Sequence, residues 1–393
     1  MQDPVVITGI GIISAIGNDV AATLDTLKRG ESGIDMIKYL KTEHTEFPVG
    51  EVKMSNEEME SKLGIAAGTT TTRTALMGMI ALDEAVEMAC LDAAATAGSD
   101  IAFISGTTVG GMDRSEQHYL DFLAGDSFKE YISTHDCGTC SDMIASKHDI
   151  FSFVATPSTA CSSAANSIII GANMLLTGQS DVVVAGGSEC ITKFHLNGFN
   201  TLMILDREHC RPFDETRAGL NLGEGAAFLV MERMSHALGR NVRPLVILAG
   251  WGNACDAFHQ TASSDDGEGA YRAMKQALEK AGVKPEQVKY VNAHGTGTPN
   301  NDISETHAMQ RLFGDSVPPV SSTKSSTGHT TSASGSIESV ITILAMLNDF
   351  LPANLGFKTP IEGGFAPVAK PTASVDIDYA LCNSFGFGGN DSS

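Results

Sequence analysis

Positive charge is scarce in this sequence: 26 Lys and Arg stand against 47 Asp and Glu, a net charge of −21 over 393 residues. Such a chain repels nucleic acid and anionic membranes at long range, so an acidic partner has to dock on a local basic patch. Long apolar runs are missing too, none reaching the roughly 20 residues that cross a bilayer. Met1-Gln2-Asp3-Pro4 leads straight into Val5-Val6-Ile7 with no basic segment or small-residue cleavage site, so no secretory leader is visible. The eight cysteines are mostly isolated in apolar or small-residue segments, which fits reduced thiols and a cytoplasmic location better than a disulfide framework. His135-Asp136-Cys137-Gly138-Thr139-Cys140 holds one C-x-x-C but no second ligand pair, so it reads as a loop and no metal is expected.

What is present describes a globular enzyme-sized chain: 42% hydrophobic and 19% charged residues suit one or two large packed halves. Short β-branched runs at 5–8, 101–105, 181–185, 226–231, 246–249 and 288–293 alternate with helical periodicity at 73–90 and 268–281, the pattern of an α/β protein. The 40 glycines cluster where strands stop. Helix, strand and glycine-rich turn recur in the same order: 73–90, 101–105 and Gly106-Thr107-Thr108-Val109-Gly110-Gly111 in one half, 268–281, 288–293 and Gly295-Thr296-Gly297-Thr298 in the other. This repeat divides the chain into 1–240 and 241–393 and predicts a site where strand ends of both halves meet. Gly9-Ile10-Gly11 with Ser14 is a broken dinucleotide fingerprint, and no nucleotide is expected.

Four segments carry chemistry. In Ser158-Thr159-Ala160-Cys161-Ser162-Ser163 a cysteine sits on a sharp turn before a small-residue helix, where the dipole and free N–H groups favour a thiolate and a lowered pKa. A lone cysteine is more commonly structural, but the remaining segments supply partners. His294 closes a strand before Gly295-Thr296-Gly297, and Lys324 and His329 lie five apart in Lys324-Ser325-Ser326-Thr327-Gly328-His329. Asn383-Ser384-Phe385-Gly386-Phe387-Gly388-Gly389-Asn390 suits a backbone nest that aims N–H groups at an anion.

With Val6-Ile7-Thr8-Gly9-Ile10-Gly11, Ala185-Gly186-Gly187-Ser188-Glu189, Arg211-Pro212-Phe213-Asp214 and Gly223-Glu224-Gly225-Ala226, these segments resemble an elongating β-ketoacyl-acyl-carrier-protein synthase of the thiolase-like superfamily. The resemblance runs nearly the whole length. It implies two βαβαβ halves in α-β-α-β-α layers, usually a homodimer, and decarboxylative condensation of an acyl chain with malonyl-acyl-carrier protein, without a redox cofactor or metal. It places Cys161 as the nucleophile, His294 and His329 as the two histidines, Lys324 as the family lysine, and Phe387 as the gating aromatic. The N–H groups of Cys161 and Phe387 are the candidates for an oxyanion hole. Glu305 falls where a carboxylate pairs with the lysine, and Asp256 and Phe385 take supporting positions. Degradative thiolases carry a second cysteine where this chain has Phe387-Gly388-Gly389-Asn390, and initiating synthases carry Cys-His-Asn. Two alternatives stay open: the catalytic half of a type II polyketide or aryl-polyene ketosynthase pair, and a non-catalytic chain-length partner, against which the intact Cys161, His294 and His329 argue.

The sequence also departs from the pattern. Asn390-Asp391 replaces the usual Thr-Asn, and the last residues stop short of the final strand expected there, which predicts a loose oxyanion turn. Thr69-Thr70-Thr71-Thr72-Arg73-Thr74 replaces a basic carrier-docking helix and leaves Arg73, Lys129, Arg207 and Arg211 as docking candidates. Val109 stands at the acyl-pocket position.

Overall fold

The computed structural model describes residues 3–92, 98–125 and 127–393. Its first half is built on β1 (Val5–Ser14), β2 (Ile101–Gly106), β3 (Phe153–Ala155), β4 (Val182–Glu189) and β5 (Gly225–Arg233), joined by β6 (Val246–Ile247) into one six-stranded sheet of order β3-β2-β4-β5-β1-β6. The first three of these strands are parallel, and the pairs β4/β5, β5/β1 and β1/β6 are antiparallel. The second half contributes β7 (Asn253–Cys255), β8 (Tyr290–Asn292), β9 (Val320–Ser321), β10 (Ala380–Cys382), β11 (Ser384–Gly386) and β12 (Asn390–Ser392). Here β9-β8-β10 form a parallel trio with the middle strand first in the chain, the same arrangement as β3-β2-β4, and β11-β12-β7 form an antiparallel trio.

Seven helices position the site: α1 (Arg73–Met88), α2 (Cys137–Ala145), α3 (Ser163–Thr177), α4 (Lys193–Thr201), α5 (Glu268–Ala281), α6 (Pro299–Phe313) and α7 (Ser334–Leu347). The side-chain alternation of the strands assigns the layers. On β2 and β4, Ala102, Ile104, Val183 and Ala185 join a central core with Ile168 of α3 and Ile337 and Ile341 of α7. Ile101, Phe103, Val182 and Val184 point the other way, onto Leu76, Ile80 and Val86 of α1. In the second half Tyr290 enters the central core, while Val291 packs outward with Met274 of α5 and Met309 of α6. Outer helices, sheet, central helices, sheet and outer helices therefore give the five layers. Residues 160–177 have the length and apolarity of a membrane span, but half of that stretch is buried, with α3 as a central core helix.

Several local expectations need correction. Strand β1 runs through Gly9 and Gly11 to Ser14 rather than stopping at Thr8, because β5 pairs along all of it. A Cβ on Gly9 or Gly11 would lie 2.4 or 2.0 Å from a carbonyl oxygen of α1, at Ala85 or Ala81, so this glycine pair lets a helix approach a strand and does not cradle a nucleotide. The segment read as a loop around Cys137 is helix α2, capped by Asp136, with Cys140 buried 3.2 Å from the Thr72 hydroxyl. The oxyanion turn is not loose: Asn390–Ser392 forms a strand between β11 and β7 and ties the turn into a sheet.

Arg73 is also not a docking residue. Its side chain is buried, and Nε and Nη2 hold the Glu224 carboxylate at 3.0 and 2.6 Å while Nη1 reaches Met54 O and Asn56 Oδ1. Glu224 in turn accepts the N–H groups of Val52 and Ile191, so this pair fastens the start of α1 to two loops. Arg73→Ala leaves a buried carboxylate uncompensated and is expected to destabilise the fold by about 3–5 kcal/mol. Denaturant unfolding checks this, and the loss should exceed that of an exposed control, Lys129→Ala, several-fold.

Candidate active site

Cys161 lies two residues before α3, at the end of a turn in which Ala160 has φ +52°, a strained value for a residue with a Cβ. Hydroxyl groups hold that strain. Ser163 Oγ accepts from Thr159 N–H at 2.9 Å and donates to Ala160 O at 2.7 Å, and Ser162 Oγ lies 2.8 Å from Thr159 O. From the other half, Ser384 Oγ donates to the carbonyl of Cys161 at 2.9 Å, and Asn390 Oδ1 accepts from Ser162 Oγ and Asn166 at 2.7 Å each. The thiol thus sits on a rigid seam between halves.

Both histidines converge on it. His329 Nε2 is 3.2 Å from Cys161 Sγ. Its Nδ1 accepts the backbone N–H of Thr331 at 3.3 Å and lies 3.0 Å from Ser334 Oγ, which leaves the ring proton on Nε2. His294 meets His329 edge to face at 5.3 Å and packs against Phe385 at 5.7 Å. The ammonium of Lys324, which can only donate, is 3.2 Å from His294 Nδ1, so this ring too carries its proton on Nε2. Burial first, and the Lys324 charge second, push both imidazoles well below their usual pKa, so each is neutral at physiological pH.

The partner of Lys324 is not Glu305. Its ammonium pairs with Glu338 on α7 in a fully buried contact. Burial pushes the Glu338 carboxyl up, and the Lys324 charge pulls it back. Glu305, on α6, instead accepts the N–H groups of His294 at 2.9 Å and Gly295 at 2.7 Å and the amide of Asn383 at 3.0 Å, which fixes the strand end that carries His294. The sequence offered one pointer to Glu338: it is the lone ionisable residue in Ser334–Leu347.

The expected low thiol pKa is also overturned. Burial pushes the Cys161 thiol up to about 11, with Lys324 and the backbone N–H of Phe387 acting in the opposite direction. The resting group is the thiol. Desolvation outweighs the dipole because Cys161 is nearly fully enclosed and stands outside the first helical turn.

A cavity of about 350 Å³ opens onto Cys161, His294 and His329, with Phe199, Met203 and Phe387 among its walls. The Phe387 ring stacks on Phe199 at 5.9 Å, while its N–H reaches the cysteine. Val109 is buried elsewhere, in the core beneath α1, with its N–H on Glu189 at 2.9 Å. Asp256 holds the turn from behind: its N–H donates to Gly389 O at 2.8 Å and its Oδ2 accepts from Ser264 N–H at 2.6 Å. Of the docking candidates, Lys129 and Arg207 are exposed, the latter over the Phe47 ring. Arg211 is bound to Glu208 and to Thr216 and is not free to meet a partner.

Two family models cover almost the entire chain: "Beta-ketoacyl synthase, N-terminal domain" matches residues 2–237 and "Beta-ketoacyl synthase, C-terminal domain" residues 245–358. The chain belongs to the β-ketoacyl synthase family. It is 34% identical over 401 residues to a 3-oxoacyl-[acyl-carrier-protein] synthase 2 of Staphylococcus aureus (strain COL), covering 98% of this chain and 96% of that protein. A 3-oxoacyl-[acyl-carrier-protein] synthase 2 of Vibrio cholerae is 33% identical over 420 residues, covering 99% of this chain and 97% of that one. Among solved structures, the ishigamide ketosynthase/chain length factor superposes with a TM-score of 0.92 at 28% identity, over 100% of this chain and 98% of that one. A type II polyketide ketosynthase bound to its acyl-carrier protein gives 0.89 at 25% identity, with the same coverage. For this β-ketoacyl synthase the five layers are the thiolase-like fold, and the cavity lies at the junction of its two halves.

Proposed function

We propose that this β-ketoacyl synthase condenses an acyl chain, held as a thioester on Cys161, with malonyl-acyl-carrier protein to give a 3-oxoacyl-acyl-carrier protein and CO2. The observation that carries the reading is the pair of neutral histidines, both with the proton on Nε2, in the cavity that holds the Cys161 thiol.

In the first step Cys161 sulfur attacks the acyl-carrier thioester, a new S–acyl bond forms, and the thiol proton leaves on the carrier's phosphopantetheine sulfur. The exchange of one thioester for another is nearly neutral in free energy. The Nε2–H of His329 and the N–H of Phe387 stabilise the sulfur anion while it exists, and the N–H groups of Cys161 and Phe387 receive the tetrahedral oxyanion. In the second step the malonyl thioester loses CO2, and the electrons of the broken C–C bond form an enolate whose oxygen accepts from Nε2–H of His294 and His329. Neutral imidazoles suit this work, because they donate without transferring the proton. The enolate carbon then attacks the acyl-Cys161 carbonyl and expels the thiolate, which takes one proton from solvent to restore the resting thiol. These steps balance without a redox cofactor or metal ion.

His294→Ala separates the steps. It should leave the acyl adduct on Cys161 while malonyl-dependent CO2 release falls by about two to three orders of magnitude, the usual effect of losing one oxyanion donor. Intact-mass analysis and CO2 capture on the same sample measure both. The overall proposal is tested by offering a ladder of acyl-carrier proteins with malonyl-carrier; absence of a 3-oxoacyl product two carbons longer would overturn it.

The carrier protein docks on a local basic patch, and of the candidates for it Lys129 and Arg207 are exposed. A second subunit adds at β3, the edge strand of the first sheet, where Phe153 is exposed. That subunit is a second copy of this chain or, as in the ketosynthase/chain length factor structures, a related one. The second reading, a catalytic subunit of a polyketide pair, is supported by those neighbours. Native mass spectrometry separates the two. Reduced, isolated thiols support the cytoplasm as the compartment, and the halves 1–240 and 241–393 each supply part of the site.

A further inference from the structure

Asp391 is a carboxylate in the middle of a sheet. It pairs with Phe385 on one side and Ala254 on the other, and only 5% of it is exposed. Its neighbours on β12, Asn390 and Ser392, face α3 and bond Ser162 and Asn166 around the nucleophile turn. Strand alternation sends Asp391 to the opposite side, onto the first turn of α5, where a Cβ on Gly269 would lie 2.1 Å from Asp391 Oδ2 and 3.0 Å from Asp256 Cβ. Asp391 and Asp256 therefore converge on one glycine. Asp256 Oδ2 is taken by Ser264 N–H, but its Oδ1 is buried and has no partner.

We propose that Asp391 is a positioning residue for the Phe387 turn, its carboxyl sharing one proton with the unpartnered Oδ1 of Asp256. The shared proton ties β12 to Asp256, and Asp256 holds Gly389 O through its own N–H, two residues from the Phe387 N–H that reaches Cys161. On the other edge of β12, Phe385 carries the link to His294. An orphaned buried acceptor beside a second carboxylate is satisfied only when one of the two is protonated.

The charges around the pair agree. Burial, then Asp256, then Glu305 on α6 push the Asp391 carboxyl up to about 8. On α5, Glu268 turns outward to Arg272 and Arg311 and supplies no cation to the pair. As pH rises through about 8 the proton is lost, two carboxylates face each other, and β12 is pushed from Asp256.

The inference rests on the role given to Phe387 N–H, so the test has two readouts. Difference infrared spectra of the intact enzyme between pH 6.5 and 9.5 should show a protonated-carboxyl band that titrates near pH 8 and is missing from Asp391→Asn. In the condensation assay the parent rate should fall above pH 8, approaching about tenfold per pH unit. Asp391→Asn, whose amide donates to Asp256 at every pH, should keep near-parent activity at pH 7 and lose that alkaline limb. Asp391→Leu should be slow throughout. A titrating band that persists in Asp391→Asn overturns the shared proton, and an alkaline limb unchanged in that variant overturns the positioning role. A chain that shows the band but condenses nothing overturns the functional reading, and the positioning role with it.

Discussion

Cys161→Ala should carry no covalent mass adduct after incubation with an acylated carrier protein or with cerulenin, and its condensation rate should fall by at least about three orders of magnitude. No other thiol can substitute. Cys140, Cys190 and Cys210 are buried, with burial pushing each thiol upward, and none of them lines the cavity. The thiol that most needs a control is exposed Cys255, whose sulfur lies 4.0 Å from Gly388 O on the back of the oxyanion turn. Cys255→Ser should therefore keep the full adduct. Malonyl decarboxylation should survive in Cys161→Ala, because the two Nε2–H donors do not depend on the sulfur. An acyl adduct that persists in Cys161→Ala would move the nucleophile elsewhere and sink the assignment.

The strand-end turns were legible from residue types alone. Cys161, His294, Lys324, His329 and Phe387 each stand where an apolar run gives way to small residues or glycine, and the fold brings all five within one seam. What the sequence could not express was burial. A cysteine beside a helix start suggests a low pKa, yet enclosure by both halves reverses the sign, and no local pattern reports the second half's proximity to Cys161. The same blindness misplaced Arg73. A basic residue opening a helix reads as surface charge until Glu224, 151 residues away, is seen to neutralise it. The resemblance pointed to Glu305 as the carboxylate beside Lys324, and a position carried over along the chain does not report which carboxylate the fold brings to the ammonium. Helical geometry puts Glu338 against Lys324 instead, and turns Glu305 to the backbone of His294. The strand at Asn390–Ser392 was not legible from its residues, because its pairing is set by flanking strands and side-chain hydrogen bonds rather than by propensity.

Lys324 is where stability and chemistry can be pulled apart. Lys324→Met removes a buried ammonium from between His294 Nδ1 and Glu338, and two separate losses should follow. The stranded carboxyl of Glu338 should cost about 3–5 kcal/mol in unfolding free energy. That loss should shrink on acidification, because the carboxyl is already pushed up by burial and takes a proton once its counter-charge is gone. Independently, His294 loses the donor that keeps its proton on Nε2, and a misplaced imidazole proton can cost up to about four orders of magnitude in turnover. The double variant Lys324→Met/Glu338→Leu distinguishes the two. It removes both charges, so most of the unfolding free energy should return, but nothing in it donates to His294 Nδ1, and malonyl decarboxylation should stay as slow as in the single variant. Acylation of Cys161 should be affected far less than decarboxylation, since the proton of His329 is placed by Thr331 and Ser334 rather than by the lysine. Recovery of decarboxylation along with stability would show that Lys324 serves the fold alone, and that the tautomer of His294 is set by something other than its ammonium.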